Sequence, residues 1–219
     1  MSEHAEFWSQ VARQYDRVVD RQLGGTTRSM ARERLAKEPR LGTVAELGCG
    51  TGFFTERLAE RAGRVVATDV APGMLALARE RVRAPNVVFQ VEDCQHTSFP
   101  DAAFDAAVVS LVLHFTEPAR TLAEMHRILK PRGTLVLVNL DMRALTGLAR
   151  VRFMARVLYE GIVGYRLKPP KNFGGNALSE AALREALAHA GFDVAGSETI
   201  LDPSRASNVP LDYVTAIRR

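Results

Sequence analysis

Short apolar runs alternate along this chain with longer stretches whose apolar residues recur every three or four positions. The runs have the length of strands, and the stretches have the spacing of amphipathic helices. Glu6 to Lys37 reads as two helices broken at Gly24-Gly25. Strands are predicted over Thr43 to Leu47, Arg64 to Thr68, Asn86 to Val91, Phe104 to Leu111 and Gly133 to Leu140. Helices fall between them over Thr55 to Arg61, Pro72 to Val82 and Pro118 to Leu129. Phe104 to Leu111 is almost unbroken in apolar residues, as a strand covered on both faces must be. Pro72 suits the first turn of a helix, and Pro131 is read as the stop of another. Leu145 to Tyr159 looks helical and lies outside the alternation. Ser179 is the predicted cap of a last helix that Gly191 ends. Phe192 to Ile200 and Tyr213 to Ile217 are predicted as two more strands. Such alternation implies a parallel sheet with helices on both faces, a doubly wound α/β fold.

Composition narrows the class. With 219 residues, 47% hydrophobic and 25% charged, the chain suits one domain able to bury a core without staples. Cys49 and Cys94 are too few for a disulfide framework or a four-ligand zinc site, so a reducing, cytoplasmic setting and no metal are expected. The N-terminal stretch carries acids early and has no long apolar run, so it does not read as a signal peptide. No segment reaches the roughly 18 apolar residues of a membrane span. Net charge is +4, but Met142 to Phe173 holds seven basic residues and one acid. The basicity is therefore local, which suggests a local partner: an acceptor under a cap, or an anionic lipid surface. Few aromatics and no basic domain argue against nucleic acid.

The chemistry concentrates where the first strand runs into glycines: Val44-Ala45-Glu46-Leu47-Gly48-Cys49-Gly50-Thr51-Gly52. Glycines let backbone turn tightly and approach a ligand closely. In open parallel sheets, ligands sit beyond the carboxyl ends of the strands. A dinucleotide loop has the spacing G-x-G-x-x-G, whereas here the third glycine comes one residue early. No lysine follows at P-loop spacing. A loop with Glu46 beside it and no lysine suits a ligand with a positive centre and no phosphate. Asp69, ending the second strand, is placed to accept from both hydroxyls of a ribose. Asp93, ending the third, is placed to accept from an adenine amine, with the Cys94 amide as a donor to a ring nitrogen.

Together with Ala71-Pro72-Gly73-Met74, Phe104-Asp105 and Leu129-Lys130-Pro131-Arg132-Gly133, these motifs resemble the class I S-adenosylmethionine-dependent methyltransferases, of the small-molecule type that includes the ubiquinone and menaquinone methyltransferases. The likeness covers about Gly42 to Leu140. It implies a Rossmann-like seven-stranded sheet whose last strand is antiparallel, with S-adenosylmethionine as cofactor and S-adenosylhomocysteine as product. It implies a cofactor site of Tyr15, Glu46, Gly48, Cys49, Gly50, Gly52, Asp69, Val70, Met74, Asp93, Cys94 and Ser110. In that reading the glycines pass under the methionine part, Glu46 orders the loop and Met74 or Ala71 packs on the adenine. Tyr15 closes over the cofactor, and Ser110 with Leu111 lines the cleft. A single domain is expected to divide into a helical lid (1–40), a cofactor core (42–141), a cap insertion (142–178) and a C-terminal helix with two strands (179–219).

Methyl transfer by in-line displacement asks mainly for positioning of the acceptor and exclusion of water. An alcohol acceptor also needs a base, for which His114 and then Asp141 are the candidates; an enolate, thiolate or amine needs none. The alternatives are a cofactor-binding protein of the same fold without turnover, a methyltransferase acting on lipid at a membrane surface, and a nicotinamide oxidoreductase, which the glycine spacing disfavours. The chain is expected to act as a monomer or homodimer.

Overall fold

The computed structural model describes residues 2–23, 25–141, 144–160, 163, 175–202 and 209–219. Its elements in chain order are α1 (Glu3–Leu23), α2 (Gly25–Leu35), β1 (Thr43–Leu47), α3 (Thr55–Arg61), β2 (Arg64–Asp69), α4 (Pro72–Arg81), β3 (Val87–Val91), β4 (Phe104–Ser110), a 3₁₀ turn at Leu113–Phe115, α5 (Pro118–Ile128), β5 (Leu129–Leu140), α6 (Gly147–Tyr159), α7 (Glu180–His189), β6 (Phe192–Ile200) and β7 (Leu211–Arg218).

The seven strands form one sheet in the order β3-β2-β1-β4-β5-β7-β6. β1 to β5 pair in parallel, and β7 inserts antiparallel between β5 and β6. Strand order reverses between β1 and β4, which opens a crevice beyond their carboxyl ends. Buried residues cover both faces. Leu35, Leu58, Val108 and Phe153 belong to one cluster, and Ala107, Leu122, Met125 and Leu187 to the other. That two-sided burial explains why β4 is continuously apolar.

Local chemistry sets the element ends. Pro72 and Pro118 occupy the first turns of α4 and α5. The Ser179 hydroxyl accepts from the Ala182 N–H at 3.4 Å, capping α7. Gly191, at φ +87°, ends it. Pro131 does not act as expected, because α5 has already ended at Ile128 and Pro131 lies inside β5. The strand tolerates it because Leu129 pairs with Phe104, and pairing then resumes only at Thr134 with Ala106 and Ile217. Residues 130–133 form a bulge, with Arg132 at φ +61°, where no ladder needs the missing proline N–H.

Helix α1 lies against α4 through a third cluster of Phe7, Trp8, Val11, Ala12, Val18, Ala71 and Met74. Their approach is close: a Cβ on Gly73 would stand 2.7 Å from the Ser9 carbonyl oxygen. Gly73 N–H instead donates to the Ser9 hydroxyl at 3.2 Å. The N-terminal helix is thereby seated over the carboxyl edge of the sheet.

Candidate functional site

Beyond the ends of β1, β2, β3 and β4 lies a cavity of about 250 Å³. Its floor is the glycine loop. Gly48, Gly50 and Gly52 have φ of +73°, +56° and +80°, which residues with a Cβ rarely adopt. At Gly48 the space is also taken, since a Cβ would meet a Val112 methyl at 2.4 Å. The loop is pinned from below by the Cys49 N–H, which donates to the Thr68 carbonyl at 2.7 Å.

Asp69 joins the loop to the next crossover. One carboxylate oxygen accepts from Gly50 N–H and the other from Ala71 N–H, both at 2.9 Å. Burial pushes its pKa up to about 6, although those two N–H groups pull it down. Glu46 lies beneath, fully inside the core end of β1; its Oε2 has no hydrogen-bond partner, and burial raises its pKa to about 7. Asp93 is exposed on the third strand's tip, where its carboxylate accepts from Gln95 N–H at 2.9 Å. Cys94 stands next to it with its thiol pushed up to about 12 by burial.

The roof is aromatic. Trp8 on α1 meets Tyr15 edge-on at 5.6 Å and Phe115 at 4.9 Å. The Tyr15 ring edge is 3.7 Å from where a Gly50 Cβ would be, and burial raises its hydroxyl pKa to about 12, so it stays a donor. One residue on, Asp16 latches this roof to the floor. It accepts from Arg28 at 2.7 Å, from Arg81 at 2.6 Å and from the Thr51 hydroxyl of the glycine loop at 2.9 Å. Arg81 also reaches Thr51 Oγ1 at 2.8 Å.

Of the residues expected at a cofactor site, Tyr15, Gly48, Gly50, Asp69, Val70, Met74, Asp93 and Cys94 line the cavity. Glu46, Cys49, Gly52 and Ser110 stand behind its wall; the Ser110 hydroxyl is buried without a partner. The two expected bases are not brought in. His114 is buried with its ring 3.9 Å from that of Phe115, and burial lowers its pKa to about 4, so it is neutral. Asp141 is buried past the end of β5, accepting from Ala144 N–H at 3.1 Å. Neither lines the cavity. Helix α6 contributes no lining residue either, and of the expected cap residues 142–143, 161–162 and 164–174 lie outside the described residues.

Leu111, expected in the cleft, lines the cavity, and Trp8, Phe115 and Val112 line it as well. Leu111 takes a left-handed conformation, φ +61°, at the end of β4. Such a backbone costs a branched residue of order 1–2 kcal/mol and is held by the Leu111 N–H to Val138 carbonyl bond at 2.8 Å. Trp8 had a signal in the sequence: with Val11, Tyr15 and Val18 it forms one apolar helical stripe. Phe115 had none, because only the fold brings it to Trp8.

Among the described lining residues are three carboxylates, Asp69, Glu92 and Asp93, and neither lysine nor arginine. Such a cavity attracts a cation and, His4 aside, offers no counter-charge to a phosphate. Among the described residues, no three His, Cys, Asp or Glu side chains stand together as a metal site.

Residues 45–137 match the family model of a methyltransferase domain. Over 144 residues the chain is 37% identical to the demethylmenaquinone methyltransferase of Deinococcus radiodurans, covering 61% of this chain and 58% of that one. Over 98 residues it is 38% identical to the malonyl-[acyl-carrier protein] O-methyltransferase of Serratia marcescens, covering 44% of this chain and 38% of that one. The chain thus spans about half the length, or less, of these curated relatives. Its fold is shared along both full lengths, at a TM-score of 0.71 and 22% identity, with a structure of the Haloferax volcanii Trm112 methyltransferase activator and a methyltransferase in complex.

Proposed function

We propose that this chain, which belongs through residues 45–137 to the class I S-adenosylmethionine-dependent methyltransferase family, transfers a methyl group from S-adenosylmethionine to a small-molecule acceptor. The observation that carries the reading is the wall of the cavity: carboxylates at two successive strand tips, a glycine floor, and no lysine or arginine among its described lining residues. When bound, the cofactor supplies a methyl carbon already activated by a sulfonium. The residues fit such a ligand. Asp69 would accept from the ribose hydroxyls, and Asp93 from the adenine amine, with the Cys94 N–H toward the ring. Val70 and Met74 would wall the adenine. Gly48 and Gly50 would leave room for the methionine part, and Glu46 would act from behind the loop. Trp8, Tyr15 and Phe115 would exclude water and so strengthen electrostatic contacts inside. With His114 and Asp141 outside the cavity, the reading assigns no base, which favours acceptors that attack without one.

The test is a labelled-methyl transfer screen with quinol, phenol, thiol, amine and carboxylate acceptors, run beside calorimetry with S-adenosylhomocysteine. The quinol and carboxylate arms follow the acceptors named for the relatives. Binding with transfer to one arm supports the reading. Binding without transfer to any acceptor would make the chain a cofactor-binding protein, and no binding would remove the reading altogether.

A further inference from the structure

Helix α6 is apolar on the wrong side. Its inward face, Ala149, Phe153 and Val157, packs on the core cluster. Its outward face is apolar as well: Leu148, Val151, Leu158 and Tyr159 are 62%, 64%, 66% and 60% exposed. At 100° per residue these four fall on one side, with exposed Met154 alongside. Leu148 to Tyr159 makes a stripe about 16 Å long. A soluble surface helix normally turns such residues inward, so an outward stripe marks a contact surface.

The charges beside the stripe choose the occupant. Arg150 and Arg152 are exposed and flank it from opposite sides. Arg156, on the Arg152 side, donates to the Arg21 carbonyl of α1 at 3.2 Å. Glu160, which follows the helix directly, is buried and paired with Arg21 at 3.6 Å. Among the described residues of the helix, the outward face therefore carries apolar residues and cations with no exposed carboxylate. A second copy docked by two-fold symmetry would set arginines against arginines. A sheet of anionic headgroups over apolar chains complements both features at once.

We propose that α6 is an interfacial helix that docks this protein onto an anionic lipid bilayer, laying Leu148, Val151, Met154, Leu158 and Tyr159 into the headgroup boundary with Arg150 and Arg152 on phosphates. Among the described residues, no helix is long and apolar enough to cross a membrane, so the contact is peripheral. The docking is independent of the acceptor and of turnover.

The experiment is co-sedimentation of the full chain with phosphatidylcholine vesicles and with vesicles mixing phosphatidylcholine and phosphatidylglycerol. Binding to the anionic vesicles alone, weakened by salt, is expected. Arg150→Gln and Arg152→Gln should each weaken it about five-fold, and Leu148→Glu with Val151→Glu and Leu158→Glu should abolish it. Circular dichroism checks that the triple variant is folded. A second readout needs no disruptive change: Tyr159→Trp should shift its emission to the blue on adding anionic vesicles. No binding, equal binding to both vesicle types, or a triple variant that is folded and still binds would overturn the proposal. So would a dimer that the triple variant splits, since a second copy would then own the face.

Discussion

Asp69 accepts two backbone N–H groups and still stands in the cavity wall. Removing it should cost both the loop's shape and the ribose contact. Asp69→Ala is expected to weaken S-adenosylhomocysteine binding by about 1–3 kcal/mol, read by calorimetry. Unchanged affinity would take Asp69 out of the site. Its pKa adds a second check. With the free protein's carboxyl at about 6, a ligand that needs the ionised form should bind more tightly as pH rises from about 5 to about 7. Asp69→Asn should flatten that rise, and a rise that persists would assign it to another group. At this scale the sequence was informative where backbone geometry is demanding. Glycines at left-handed positions and carboxylates at strand tips are visible in one dimension, because no other residue types serve there. His114 misled because a histidine after a strand looks available until its burial against Phe115 is seen. Leu111 was expected in the cleft, but its left-handed backbone gave no sign, since that strain is imposed by packing and not by residue type.

Among elements, α1 is held by charge as well as by its apolar stripe. Asp16 joins Arg28 of α2, Arg81 of α4 and Thr51 of the glycine loop. Arg28 is 3% exposed and lies 3.8 Å from the Phe53 ring centroid, so losing Asp16 leaves a buried guanidinium with Asp20 as its carboxylate partner among the described residues. Asp16→Ala should destabilise the fold by roughly 2–3 kcal/mol, below the full cost of breaking a buried pair because Asp16 is partly exposed. Arg57→Ala, whose partners Glu33 and Glu60 are exposed, should leave the melting temperature near wild type. Hydrogen exchange would show whether the loss is local, with faster exchange over α1 and the glycine loop. Equal shifts in the two variants would mean that the latch is an ordinary surface pair. None of this network is legible from spacing, since its members lie up to 65 positions apart. The strand and helix order was legible because period and punctuation agree. The Pro131 misreading came from applying a helix rule where a bulge had already removed the need for the N–H.

For the whole molecule, buried carboxylates set how stability responds to pH. Burial raises Asp69 and Asp212 to about 6 and Glu46 to about 7. A carboxyl raised on folding binds its proton more tightly in the native state. Its contribution is therefore full below the unfolded pKa, about 4, and is lost as pH rises through 6 or 7. Glu124 works the other way. Burial opposes its charge, but hydrogen bonds from Arg127 and Thr97 win and hold it down to about 2, so its contribution is lost only as pH falls toward that value. His114 also opposes the raised carboxyls: burial holds it neutral, so its contribution is full above the unfolded pKa, about 6.5, and is lost as pH falls toward 4, and each carboxyl has to be tested by itself. Asp212 allows that test away from the cavity. It is 2% exposed, paired across the strands with Asn139, whose amide donates to it at 3.1 Å, and the Asp141 carboxylate adds to the effect of burial. Asp212→Asn keeps the shape and removes the charge. It should stabilise the fold by roughly 1–3 kcal/mol at about pH 8 and change little at about pH 4, read as urea midpoints. A variant equally shifted at both pH values would show that Asp212 is ionised without penalty, and that the acid end of the sheet is better solvated than its burial implies.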